Sequence, residues 1–278
     1  FTEVDEQSFN LDPEELPSAI ATAREMDIAV VGIMGVGLFG QPANYPAIRA
    51  FAKKEGLWVI DDAAQSFGAT IKNQRVGKLA DLTCTSFFPA KPLGCYGDGG
   101  AVFTNSDTEA EIMRSCRIHG MGKTRYDNVR IGMTARLDTI QAAILDAKLD
   151  IFDDELEARQ LISERYAELI GDIVKVPVLD EGHSSSWAQY TIKLPDGANR
   201  NTIVSSLSED GVPTAIYYPV PMHEQPPYQS FPVAGGKLEV TADLCARVLA
   251  LPMHPYLDAS AQKKIATALH KAIDSTGQ

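Results

Sequence analysis

Short β-branched runs alternating with helical patterns constrain this chain more than any other feature. IAVVGIM (Ile28–Met34), LWVID (Leu57–Asp61) and LTCTSFF (Leu82–Phe88) are short, apolar and bounded by turn residues, the pattern of buried strands. AVFTN (Ala101–Asn105) is a weaker run of the same kind. Between them, DPEELPSAIATA and NYPAIRAFAKKEG carry helix signals. Asp12 caps the first, with Pro13 at its first helical position and Glu15 completing a capping box; Gly56 stops the second. The alternation predicts an α/β domain built on a mainly parallel sheet.

A helix is expected over Asp107–Cys116, followed by the polar loop HGMGKTRYDNVRIG. From Leu137 to about Ile170 the helical period is nearly continuous, with an interruption at DIFDDE (Asp150–Glu155). That stretch bridges to a second unit. From Asp172 onward come a strand WAQYTIKL, a helix capped at Asn199 or Asn201, a strand PTAIYY (Pro213–Tyr218) and two closing helices. The expected organisation is a large domain over residues 1–171 and a small α+β domain over 172–278. The opening FTEVDEQSFNLDPEEL reads as a strand and then a helix cap, as if the chain began inside a domain.

Charge removes whole classes of partner. With 25 Lys+Arg against 37 Asp+Glu the net charge is −12, which gives no electrostatic footprint for nucleic acid or an anionic membrane. No apolar run reaches membrane-spanning length, and no basic-then-apolar leader is present. The four cysteines form no CxxC pair and are expected to be buried, reduced thiols in a cytoplasmic setting. His183 and His270 are expected to be exposed. No spacing puts two histidines on one helical turn, so no metal site is expected.

GVGLFG (Gly35–Gly40) matches G-x-G-x-x-G after a strand, and the next strand ends in Asp61-Asp62. On pattern alone that is a nicotinamide-dinucleotide site, and an NAD-dependent oxidoreductase is one alternative function. Such a site needs the helix to begin within the glycines, yet Pro42 and Pro46 would then fall inside it. The helix is expected to start after Ala43, leaving the glycines as a turn.

CTSFFPAKPLGCYGDGG (Cys84–Gly100) poses a different problem, because it sets Lys91 between an apolar aromatic run and a glycine-rich turn. A charged amine there is costly unless it is paired or gives up its proton. Asp62 stands at the carboxyl end of the preceding strand, the end that faces the ligand crevice in open α/β sheets, and Ser86 stands near the end of the next. A neutral lysine, an acid for a protonated ring nitrogen and a hydroxyl for a phosphate are what pyridoxal phosphate requires. Taken singly, the lysine also fits a solvated loop residue and the acid a simple turn cap.

DDAAQSFGA, CTSFFPAKPLGCYGDGGAVFTN, ARLDTIQAAIL, GVPTAIYYPVPMHEQPPY and LPMHPYL resemble the DegT/DnrJ/EryC1/StrS sugar-nucleotide aminotransferases over essentially the whole chain. The resemblance implies a fold-type I, pyridoxal-phosphate-dependent homodimer with its active site shared between subunits. The implied reaction is ping-pong transfer from glutamate to UDP-2-acetamido-2-deoxy-3-keto-glucuronate, for O-antigen-type cell-surface polysaccharide. It implies that Lys91 holds the cofactor covalently and Asp62 pairs with its ring nitrogen. Gln65 lies beside the ring hydroxyl, with Ala64 next to it, and Ser86 binds the phosphate. Arg136, Tyr217, Tyr218 and His223 lie toward the substrate, Arg136 reached from the neighbouring subunit. Thr134 stands where relatives carry an Asn that donates to the partner's phosphate. Family members that are dehydratases typically replace the lysine with histidine, so Lys91 points to transfer. Relatives also have βα units before the point where this chain starts. The chain is therefore expected to lack part of the family fold, and an inactive fragment of that fold is the second alternative.

Overall fold

In the computed structural model, which describes residues 1–275, the strands fall into one main sheet and two small ones. They are β1 (Gly32–Val36), β2 (Trp58–Asp62), the short antiparallel pair β3 (Thr70–Ile71) and β4 (Gln74–Arg75), then β5 (Leu82–Ser86) and β6 (Gly100–Thr104). The main sheet has the order β1-β2-β5-β6, parallel except for its antiparallel edge strand β6. This is the expected α/β sheet.

The pleat gives the sheet two unlike faces. Ile33, Val59, Thr83 and Thr85 are buried on one, beneath α1 (Leu16–Glu25) and α2 (Tyr45–Glu55). Met34, Val36, Trp58 and Val102 are exposed on the other. The register sets Asp62 level with Val36 and Cys84, and so places it on this second, open face.

Both helix starts show how local chemistry decides. Asn44 caps α2 by accepting from Ala47 N, Pro46 sits in the first turn, and Gly56 ends the helix at φ +71. At α1 a 3-10 turn, Pro13–Glu15, comes first. The Asp12 carboxylate accepts from Glu14 N, while Glu15 N bonds the Asp12 carbonyl, so the expected capping box does not form. The strand expected from Ile28 begins instead at Gly32, because Ile28 N is used to close α1 on Ala23 O. The chain's first residues form no strand either; Val4 and Leu11 make a single bridge.

Helix α3 spans Asp107–Cys116 and α4 spans Thr139–Ile170, 32 residues without a break. The interruption expected at Asp150–Glu155 is absent, because the acids there need not be buried. Phe152 points into the core, whereas Asp150, Asp153 and Asp154 are exposed and Asp153 pairs with Arg75 at 2.9 Å. The last turns of α4 (Ile162, Tyr166, Ile170) pack against β7 (Tyr190–Lys193), α5 (Arg200–Glu209), β8 (Val248–Leu251) and α7 (Ala259–Asp274). β7 and β8 pair antiparallel, and α6 (Glu239–Arg247) precedes β8. Asn199 is the cap of α5, accepting from Thr202 N.

PTAIYY is not a strand. Only Ala215 bridges, exchanging both backbone bonds with Ala250, since Pro213 has no N–H to donate and Pro219 follows closely. Of the cysteines, Cys95 is buried and the other three are half-buried free thiols. His270 is half-buried with Nε2 3.0 Å from Leu169 O, and His183 is half-buried as well, so neither is the exposed residue expected. No helix among the described residues is long and apolar enough to cross a membrane.

Candidate active site

Asp62 is the last residue of β2, and its Oδ1 accepts from Ala64 N at 3.0 Å, which fixes the carboxylate as the chain turns. Ser86 ends β5 on the same face, its Oγ accepting from Phe88 N. Beyond it the chain folds back: Lys91 N bonds Phe88 O, and Cys95 N bonds Phe87 O, each at 2.8 Å. Phe87, Leu93 and Cys95 sink into a cluster with Leu145 and Phe152 of α4. Lys148 Nζ donates to Gly94 O at 2.5 Å. The apolar residues of CTSFFPAKPLGC therefore root the loop on α4 and leave Lys91 half-buried above the end of the sheet.

Burial lowers the pKa of Lys91, and the nearby charge of Asp62 works in the opposite direction. The amine is thus biased toward its neutral, nucleophilic form while still feeling one carboxylate. Lys91 lies within the electrostatic reach of Asp62.

Asp61 points the other way. Burial, with a smaller contribution from Asp62, pushes its carboxyl up to about 6, although Tyr45 Oη at 2.6 Å and Thr83 Oγ1 at 3.4 Å both favour its ionised form. Tyr45 also lies 3.0 Å from Gly35 O, and its own pKa is driven far up by burial.

Gln65 is buried on the turn after Asp62. Its Oε1 accepts from Phe39 N at 2.6 Å and its Nε2 donates to Tyr218 Oη at 3.4 Å. Ala64, half-buried, supplies its N–H to Asp62. The rings of Tyr217 and Tyr218 meet edge-on at 5.6 Å, and Tyr218 is half-exposed. The other candidates make contacts of their own. Thr134 and Arg136 are exposed on the loop after α3, with Thr134 Oγ1 3.4 Å from His119 Nδ1. The His223 ring lies tilted against Phe1, centroids 6.1 Å apart, with Nε2 3.8 Å from Glu224. No hydrogen bond joins Thr134, Arg136 or His223 to Lys91, Asp62, Gln65 or Tyr218 among the described residues.

The amides along the GVGLFG turn are spent within the protein rather than aimed at a pyrophosphate. Gly37 N bonds Asp62 O, Leu38 N bonds Asn10 Oδ1, Phe39 N bonds Gln65 Oε1 and Gln41 N bonds Leu38 O. The helix begins only at Tyr45. The dinucleotide alternative therefore fails on the turn's own hydrogen bonds, as the prolines foretold. Asn10 and Tyr45 were not singled out in the sequence; an Asn before a helix and a Tyr within one carry no signal of the distant groups they reach.

The donor set has a defined chemistry. A half-buried amine of lowered pKa, a carboxylate within its field and a hydroxyl on the same face suit an aldehyde, a cationic ring nitrogen and an anionic tail respectively.

Comparison with known proteins agrees with that chemistry. The model of the DegT/DnrJ/EryC1/StrS aminotransferase family matches residues 1–270. A UDP-2-acetamido-2-deoxy-3-oxo-D-glucuronate aminotransferase of Pseudomonas aeruginosa is 43% identical over 270 residues, covering 97% of this chain and 72% of that protein. The crystal structure of a DegT DnrJ EryC1 StrS aminotransferase from Brucella abortus superposes with a TM-score of 0.95 at 47% identity, over 98% of this chain and 73% of that one. A Bacillus subtilis structure with bound cofactor PMP has a TM-score of 0.84 at 28% identity, over 98% and 62% of the two chains.

Proposed function

The chain belongs to the DegT/DnrJ/EryC1/StrS aminotransferase family, and from that premise we propose that it moves an amino group from glutamate to a keto sugar nucleotide, UDP-2-acetamido-2-deoxy-3-keto-glucuronate, using pyridoxal phosphate. The observation that carries this reading is a half-buried Lys91 of lowered pKa within the electrostatic reach of Asp62 at the carboxyl end of β2.

When bound, pyridoxal phosphate supplies an aldehyde for imine chemistry and a cationic ring that draws electrons from the carbon being deprotonated. Lys91 Nζ, its pKa lowered by burial, would hold the aldehyde carbon. With an amino donor in place, the freed Lys91 amine would be the base positioned to carry a proton to and from the carbon next to the transferred nitrogen. Asp62, steadied by the Ala64 N–H, keeps the proton on the ring nitrogen. Ser86 Oγ donates to the phosphate. Gln65 and Ala64 line the ring, while Arg136, Tyr217, Tyr218 and His223 face the sugar nucleotide.

Thr134 and Arg136 lie on a loop whose apolar residues are strongly exposed, among them Ile131 (97%) and Tyr126 (88%). A second copy of the chain covers that surface in a homodimer, bringing Thr134 and Arg136 to the partner's site. A cofactor-binding domain over 1–171 and a smaller domain over 172–278 is supported by their separate buried clusters, with the end of α4 reaching into the second. The enzyme works in the cytoplasm, where nucleotide sugars are made.

The test is direct. The protein incubated with pyridoxal phosphate and reduced with borohydride should carry the cofactor on the peptide containing Lys91. Glutamate with the 3-keto uronate nucleotide should yield 2-oxoglutarate and the 3-amino sugar. Labelling at another lysine, or none, would remove the reading; transfer only to neutral or 4-keto sugars would replace the substrate.

A further inference from the structure

The glycine turn that cannot hold a dinucleotide has a different task. Asn10 is 2% exposed, and both ends of its amide are used: Oδ1 accepts from Leu38 N at 2.8 Å and Nδ2 donates to Gln41 O at 2.9 Å. These bonds bracket Phe39, which sits at φ +60, a conformation costly for a residue with a side chain. The turn is gripped from the opposite side by the segment before β7. Ser186 N bonds Gly40 O at 3.0 Å and Gln189 N bonds Phe39 O at 3.2 Å. Gly40 is required there, since it has φ +119 and a Cβ on it would lie 2.6 Å from Trp187 N.

The bracket aims one N–H. A backbone N–H can only donate, so the side-chain atom of Gln65 that meets Phe39 N at 2.6 Å must be the oxygen. The NH2 end is then the end offered to Tyr218 and to whatever lies beyond it. Ser186 Oγ donates to Gln65 O, holding the backbone of the same residue. A glutamine free to flip would present either an acceptor or a donor; this one presents donors.

We propose that Asn10 is a positioning residue for the active site: by clamping the 37–41 turn it fixes the amide of Gln65 with Nε2 toward Tyr218 and the cofactor. This rests on the reading of the site given above. Asn10 touches neither cofactor nor substrate and acts through Phe39 N and Gln65.

The test uses Asn10→Ala, Asn10→Asp and Gln65→Ala, with two readouts. The first is the pH titration of the bound cofactor's absorption together with its dissociation constant. Asn10→Ala should shift the titration midpoint in the same direction as Gln65→Ala and weaken cofactor binding about tenfold, the worth of one hydrogen bond to a buried group. The double variant should be no worse than Gln65→Ala alone. Asn10→Asp keeps the acceptor for Leu38 but turns a carboxylate oxygen on Gln41 O at a buried site, so it should be at least as damaging as Ala in both readouts. The second readout is hydrogen exchange of the Phe39 amide in the cofactor-free protein, which Asn10→Ala should speed. An unmoved titration midpoint in Asn10→Ala, where Gln65→Ala moves it, overturns the role of Asn10 alone. Unchanged Phe39 exchange overturns the bracket itself. Failure of the wild-type protein to take up the cofactor overturns the reading of the site and the role of Asn10 with it.

Discussion

Asp61 and Asp62, adjacent in the chain, point to opposite faces of the sheet and do opposite things. Asp62 lies on the open face, its charge acting on Lys91; Asp61 is fully buried against Tyr45 and Thr83. The period-2 pleat alone makes the separation. One acid is left facing a ligand, and the other ties the end of β2 to α2 and β5.

Lys91→Ala should abolish amino transfer, and Asp62→Asn should lower kcat on the order of a hundredfold or more while the cofactor still binds. The amide keeps the shape of the carboxylate but cannot hold a proton on the ring nitrogen. Steady-state kinetics beside a spectrophotometric cofactor count checks both; Asp62→Asn with unchanged turnover would show that its charge is not used.

Asp61 makes a pH prediction with a definite sign. Its folded pKa, about 6, is above the ordinary aspartate value of 3.8, so the folded chain binds the extra proton between those values. The stability from this group is therefore fully present below pH 4 and lost as the pH rises through 6, a change of about 3 kcal/mol. Glu6 and Asp243, whose pKa values are lowered by Lys193, contribute in the opposite sense at lower pH. Asp61→Asn isolates the effect: its denaturation midpoint, relative to wild type, should improve steadily from pH 4 to pH 7. A constant difference across that range would mean Asp61 is not protonated there.

The sequence made this site legible where chemistry conflicts with surroundings. A lysine in an apolar run and an acid at a strand end are locally anomalous, and the structure sets Lys91 within the field of Asp62. Pro42 and Pro46 gave the start of α2 for the same kind of reason, since proline forbids rather than prefers. Contacts set by the tertiary fold were not legible: Asn10 reaches Leu38 across 28 residues, and Tyr45 reaches Asp61 across 16. Composition misleads at two elements, a run of acids that reads as a break in α4 and a β-rich hexapeptide that reads as a strand.

Lys193 sets up an asymmetry between two kinds of variant. Its side chain is nearly buried in β7, with Nζ 2.8 Å from Glu6 and 2.6 Å from Asp243, both of which are half-exposed. Lys193→Met removes the cation and leaves two acids that water can reach, and should cost no more than about 1 kcal/mol. Glu6→Gln with Asp243→Asn instead leaves the buried ammonium without a counter-charge, and should cost on the order of 3 kcal/mol. Chemical denaturation of the two variants decides; equal losses would mean that the pair is screened like a surface one.

Gly94→Ala should strip the site of cofactor by displacing Lys91 without touching it. Gly94 is buried, and a Cβ built on it would lie 2.7 Å from the carbonyl oxygens of both Phe88 and Pro89. Those oxygens are backbone and cannot swing aside as a side chain would. One of them, Phe88 O, accepts the bond from Lys91 N that closes the turn. The loop cannot retreat as a body either, because Leu93 and Cys95 are packed against Leu145 and Phe152 and Lys148 holds Gly94 O. The methyl must therefore open the 88–91 turn, at a cost of about 1–3 kcal/mol, the usual range for overpacking a buried site. The lysine moves with the turn, so the loss of cofactor affinity should exceed what that destabilisation explains. Gly56→Ala is the control, since at φ +71 it is strained at the end of α2 but has nothing within 4 Å of the new methyl. It should lower the melting temperature and leave cofactor binding intact. Native cofactor affinity in Gly94→Ala would mean that the turn does not set the position of Lys91.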